Sequence, residues 1–106
     1  MATRKPLPPL FIAARNGDLE VVERLLALGV DINECTELGN TPLHVACYGG
    51  HTDIVRLLLE KGADLNRTTE GGMMPLHLAC YGCHAGTVRL LLKYRADVNV
   101  QVTKVL

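Results

Sequence analysis

Apolar positions along the chain fall into three groups with helical spacing. Val21, Val22, Leu25 and Leu26 form the first, Ile54, Val55, Leu58 and Leu59 the second, and Val88, Leu91 and Leu92 the third. Within each group the spacing puts the side chains on one helical face. The other face is charged, with Glu20, Glu23 and Arg24 in the first group and Asp53, Arg56 and Glu60 in the second, and reads as solvated surface. Each of these helices is preceded by a short proline-led segment: Pro9-Leu10-Phe11-Ile12-Ala13-Ala14, Pro42-Leu43-His44-Val45-Ala46-Cys47 and Pro75-Leu76-His77-Leu78-Ala79-Cys80. Proline suits a first helical turn, where its missing N–H would have no partner anyway, and Thr41 before Pro42 is placed to cap the free amides. The breaks Asn16-Gly17, Gly49-Gly50 and Gly82-Cys83 leave room only for a tight antiparallel return, so each pair of helices is expected to pack as a hairpin. Gly29 and Gly62 supply left-handed turns that end the second helices, and Asp31-Ile32-Asn33, Asp64-Leu65-Asn66 and Asp97-Val98-Asn99 are expected to be extended connectors.

The groups are copies of one another. Residues 34–66 and 67–99 are identical at 19 of 33 places, and a weaker copy precedes them with Pro9 aligned to Pro42 and Pro75. A constant period of this length marks a stacked-repeat architecture, in which each unit buries its apolar face against the next. The shared residues are mostly Gly, Pro, His, Ala, Leu and Asn, which build backbone and core, so the repetition specifies architecture rather than a partner.

Gly39-Asn40-Thr41-Pro42-Leu43-His44-Val45-Ala46, followed by Gly50-His51, Leu57-Leu58-Leu59 and Gly62-Ala63-Asp64, closely resembles the ankyrin repeat. The resemblance covers about residues 7–101. It implies an all-α solenoid of three helix-turn-helix units with projecting β-turn fingers, and a non-enzymatic scaffold that binds a protein or peptide on its concave face. It makes His44 and His77 internal hydrogen-bonding residues that brace one finger to its neighbour, and gives His51 and His84 turn and inter-repeat contacts. Partner contacts in the family concentrate on the finger tips and the exposed side of the first helix. The matching positions are Arg15, Tyr48 and Tyr81 on the helices and Glu37, Leu38, Asn40, Glu70 and Met73 on the fingers. Tyrosine and arginine are common interface anchors because they join large contact area to a polar end. Leu38 and Met73 add apolar surface at tips that would otherwise be polar.

Composition narrows the alternatives. Lys and Arg together equal Asp and Glu at 11 each, so no net field draws the chain to nucleic acid or an anionic membrane. There is no apolar run of about 18 residues and no secretory signal at the start, which points to a cytoplasmic or nuclear protein. No cofactor or metal is expected. Cys47 and Cys80 stand where the first unit has Ala14, so both are expected to be small, buried free thiols. Packed helices lie about 8–10 Å apart, too far for a disulfide between them. Cys80-Tyr81-Gly82-Cys83-His84 leaves one chemical alternative, a thiol-redox or zinc site on Cys80, Cys83 and His84. A structural zinc site wants a second ligand pair, which the pattern does not supply.

The third unit departs from the pattern: Met74 replaces the capping Thr41, Cys83 the turn Gly50 and Arg95 the helix-ending Gly62. Each departure is expected to cost about 1 kcal/mol, so this unit should fray first and Arg95→Gly should stabilise it. Gly86 and Thr87, in place of Asp53 and Ile54, weaken its outer helix further. The expected organisation is a lead-in over residues 1–6, with Pro6 to Pro8 stiffening it, repeats at about 7–35, 36–68 and 69–101, and a tail over 102–106. Val100, Val102, Val105 and Leu106 lie where a fourth unit would begin. They suggest either a cut from a longer array or a tail that covers the open side or pairs with another copy, with alternating valines suited to an added strand.

Overall fold

Proline starts the inner helix of every unit. The computed structural model describes the backbone of residues 5–105 and the side chains of residues 5–95. Its helices are α1 (Pro9–Asn16), α2 (Leu19–Ala27), α3 (Pro42–Gly49), α4 (Thr52–Glu60), α5 (Pro75–Tyr81) and α6 (Ala85–Val105). Successive helices pair as α1 with α2, α3 with α4 and α5 with α6; α1, α3 and α5 stack as an inner row, and α2, α4 and α6 as an outer row. Among the described residues there is no strand, and the fold is an all-α repeat solenoid.

The core runs between the rows. Leu10, Val22, Leu43, Ala46, Cys47, Ile54, Val55, Leu58, Ala79 and Leu91 are buried in one continuous cluster. Burying a side chain such as Leu43 or Ile54 is worth roughly 1.5–3 kcal/mol relative to leaving it in water. The charged face of α2 stays in solvent, where Arg24 and Glu20 meet at 3.2 Å, an exposed pair that adds little to stability.

The fingers are closed by their own threonines. The Thr36 amide donates to the Asn40 carbonyl at 2.9 Å and Thr36 Oγ1 accepts from the Asn40 amide at 3.2 Å. Thr69 and Met73 repeat the pair at 2.9 and 3.1 Å. The Glu70 amide donates to the Leu38 carbonyl at 2.8 Å, which ties one finger to the next. Where extended connectors were expected, the chain turns instead: Asp31 and Asp64 carboxylates accept from the amides of Asn33 and Asn66, each at 2.9 Å. An aspartate that bonds the backbone two residues on mimics a turn of its own, and the hydrophobic pattern carries no trace of it. Asn33 Oδ1 then takes the Asp64 amide at 3.1 Å and joins adjacent repeats.

The last unit corrects four further expectations. Gly29 and Gly62 have φ of 84° and 94° and end their turns left-handed as expected, but α6 continues through Arg95 and the Asp97-Val98-Asn99 segment to Val105. Without glycine, the left-handed turn is sterically expensive and helix is the cheaper path. Arg95 therefore carries no strain for a glycine to relieve. The segment expected to add a strand is helical as far as Val105, while residues 1–4, Leu106 and the apolar role assigned to Val100, Val102 and Val105 lie outside the described residues or side chains. Finally, Cys47 is buried whereas Cys80 is exposed, because α5 packs over Cys47 and among the described residues nothing packs over Cys80.

Candidate functional site

Arg15, Tyr48 and Tyr81 occur one repeat apart at the ends of α1, α3 and α5, and all three are exposed. Their exposure follows from the helix pattern. In α3 the positions before Tyr48, namely Leu43, His44, Ala46 and Cys47, turn into the core, so Tyr48 is left outside at 53% exposure and Tyr81 at 75%. On the fingers Glu37, Leu38 and Glu70 are exposed, whereas Asn40 and Met73 are half-buried because they close the finger hydrogen bonds.

His44 holds this arrangement in place. It is fully buried, its Nδ1 accepts from the Thr41 amide at 3.1 Å, and its Nε2 is left protonated to donate to the Met73 carbonyl at 3.0 Å. The His44 amide in turn donates to Thr41 Oγ1 at 3.2 Å, completing a capping box at the start of α3. Burial is the main reason that the pKa of His44 lies below the ordinary value, and Arg67 adds repulsion, while backbone hydrogen bonds oppose both. One neutral ring thus joins a helix start to the next finger, as expected for it. His77 does not. It is exposed, and its Nδ1 accepts from the Met74 amide at 2.9 Å, with no further finger beyond it among the described residues. His84 makes the expected inter-repeat contact, with Nε2 donating to the Tyr48 carbonyl at 2.9 Å.

Two grooves collect some of the candidate residues. One, of about 440 Å³, is lined by Met73, His77, Cys80 and Tyr81. The other, of about 350 Å³, lies between residues 5–8 and residues 34–38 and includes Glu37 and Leu38, with the Lys5 amide donating to Glu37 Oε1 at 2.7 Å. Arg15 and Tyr48 line neither. The hydrophobic pattern does not predict the second groove, although the offset of 33 that aligns Lys5 with Leu38 is the signal that this stretch occupies a finger position. A third groove, of about 540 Å³ on the outer row, is lined by Glu23, Leu26, Ala27, Val30, Ile32, Leu57 and Lys61 and contains no candidate residue.

The thiol cluster has limited reach as a metal site. Among the described residues no three His, Cys, Asp or Glu side chains stand close enough to hold a metal ion, so Cys80, Cys83 and His84 are not assembled as ligands. All four cysteines are free, and burial pushes the Cys47 thiol up to about 12. No helix among the described residues is long and apolar enough to cross a membrane.

Comparison with known proteins agrees with this geometry. No curated protein matches the chain by sequence. Among solved structures, the crystal structure of the human ASB11 ankyrin repeat domain is similar at 40% identity with a TM-score of 0.79, over 82% of this chain and 39% of that one. This chain therefore spans about two fifths of that domain. In all, 504 solved chains match, a breadth at which fold alone selects no partner. The family model for ankyrin repeats, in three copies, matches residues 10–102, and with the capped, finger-braced helical pairs described above this chain belongs to the ankyrin repeat family.

Proposed function

We propose that this chain is a non-enzymatic module that binds a protein or peptide partner on the concave side of its inner helices. Ankyrin repeats are generally protein–protein interaction modules. Tyr48, Tyr81 and Arg15 anchor the partner, and Glu37, Leu38, Asn40, Glu70 and Met73 contact it from the fingers. The observation that carries this reading is the exposure of Tyr48 and Tyr81 at equivalent positions of a stack whose fingers and helices are cross-braced by His44 and His84. A surface already rigid loses little conformational freedom when a partner docks, so a modest contact area yields useful affinity. Four free cysteines, one of them in the core, fit a reducing compartment such as the cytoplasm or nucleus.

Affinity capture with the wild type and with the Tyr48→Ala/Tyr81→Ala double variant tests the site. Loss of an anchor costs more than ~1 kcal/mol, so the double variant is expected to bind at least about tenfold more weakly at nearly unchanged Tm. Partners retained equally by both proteins dismiss this face. A second reading, self-association through the side of α5 that carries His77 and Cys80, is supported by their exposure where His44 and Cys47 are buried. Light scattering over a range of concentrations checks it, and a constant monomer mass removes it.

A further inference from the structure

Cys80 and Cys83 are the chemical feature that the docking surface leaves unused. We infer that they form a reversible dithiol–disulfide pair whose closure reshapes the turn carrying Tyr81. Both are exposed free thiols, and they bracket Tyr81 and Gly82 at the junction of α5 and α6. The Cys83 amide donates to the Cys80 carbonyl at 3.0 Å, the hydrogen bond of a four-residue turn, which brings the two Cα atoms within the span that a disulfide bridges. Among the described residues Cys83 is the non-glycine residue with positive φ, at 62°, and so has left the helical path that would otherwise fix its side chain. The second unit has no such pair: Cys47 is buried and glycine stands at position 50.

The bond closes at the expense of the helix end. Because Cys83 is off the helical path, its Cβ is not held at the about 5–6 Å of a helical pair three apart, and the turn has to tighten only until the two Cβ atoms stand roughly 3.5–4.5 Å apart. Both ends of the turn are anchored, since the His84 amide donates to the Ala79 carbonyl of α5 at 3.0 Å and the His84 ring donates to the Tyr48 carbonyl at 2.9 Å. The movement is therefore confined to residues 80–83, where Tyr81 stands. Disulfides closed under such strain are the more easily reduced and the more suited to regulation.

Glutathione disulfide supplies the oxidising equivalents. The thiolate of one cysteine attacks a sulfur of glutathione disulfide, whose S–S bond breaks as one glutathione thiolate leaves. The second cysteine thiolate then attacks the protein sulfur of the mixed disulfide and expels the other glutathione thiolate. Two electrons pass from the cysteine sulfurs to glutathione disulfide, and the two thiol protons end on the two glutathione thiols.

The test uses the whole chain in buffers of graded glutathione to glutathione disulfide ratio, with thiols trapped, peptides mapped by mass and Tyr81 followed by NMR. The expected result is a Cys80–Cys83 link formed with loss of two hydrogens, Cys47 still a thiol, and Tyr81 resonances that shift while those of Val22 and Leu43 hold still. Cys83→Ser and Cys80→Ser should instead accumulate the glutathione adduct. Stable glutathione adducts on the wild-type pair, or a closed pair with unmoved Tyr81 signals, overturn the inference. The consequence for partner docking rests on the reading of Tyr81 given above, but none of these measurements uses a partner. Failure of the pair and failure of the docking surface are therefore separable, the latter being judged by the Tyr48/Tyr81 variant.

Discussion

The second and third units share most of their helix residues and still differ in what those residues do. His44 is buried and bonded to the next finger, whereas His77 is exposed; Cys47 is in the core, whereas Cys80 faces solvent. In α4, Ile54, Val55, Leu58 and Leu59 are all buried, while in α6 Leu92, the counterpart of Leu59, is 48% exposed. A repeat motif specifies its own hairpin, but part of its burial is supplied by the neighbour that stacks on it. The same histidine or cysteine is therefore structural in one unit and available in the next.

The sharpest way to break this comparison is to truncate equivalent leucines. Leu59→Ala should cost about 2–4 kcal/mol by chemical denaturation, in the range of buried leucines, and Leu92→Ala less than about 1 kcal/mol. Equal costs would mean that α6 is as well covered as α4.

The histidines come next. His44→Ala should cost about 2–3 kcal/mol, because the Met73 carbonyl and the Thr41 amide lose a buried partner, and His77→Ala well under 1 kcal/mol. The same ring sets a pH dependence. The pKa of His44 in the fold is lowered below the ordinary 6.5, chiefly by burial, so on acidification the unfolded chain takes up a proton first. Its stabilising contribution is complete above pH 6.5 and is lost as pH falls from there towards the lowered folded value. Thermal melts from pH 8 down to pH 5 should show a falling Tm, and a variant with His44 replaced should show a weaker slope.

The smallest effects sharpen the comparison from the other side, by restoring second-unit residues to the third. Cys83→Gly removes a side chain from a left-handed backbone, and Met74→Thr returns the cap that Thr41 gives α3. Each should add about 1 kcal/mol. For a chain of this length that is a rise in Tm of about 4–8 °C, measurable by calorimetry. No gain from Met74→Thr would mean that the Met74 amide bond to His77 Nδ1 already serves the helix start as well as a hydroxyl does.

Particular residues show how far the sequence could be read. The proline starts, the Thr41 cap, the hairpin breaks and the left-handed Gly29 and Gly62 were legible because each follows from local stereochemistry. The Asp31 and Asp64 turns stand where the sequence predicts extended connectors, since a side chain that bonds its own backbone leaves no mark on hydrophobic periodicity. Thr87 weakens the outer helix by propensity, yet it is buried with its hydroxyl 2.9 Å from that of Thr52, a pairing between repeats that neither residue announces. The exposure of Tyr48 and Tyr81 follows from the helix pattern, while the groove of residues 5–8 against Glu37 and Leu38 depends on contacts such as the Lys5–Glu37 bond, 32 residues apart.

The amino-acid sequence by itself determined the repeat, its period, the helical pairs and the residues that cap and break them, because these depend on backbone preferences and on spacings within a few turns. Tertiary structure alone decided which copy of each repeated residue is buried, that Thr52 and Thr87 pair between repeats, and that residues 5–8 form a groove with Glu37 and Leu38. Burial depends on what packs across from a residue, and neighbouring repeats supply that from thirty-three positions away.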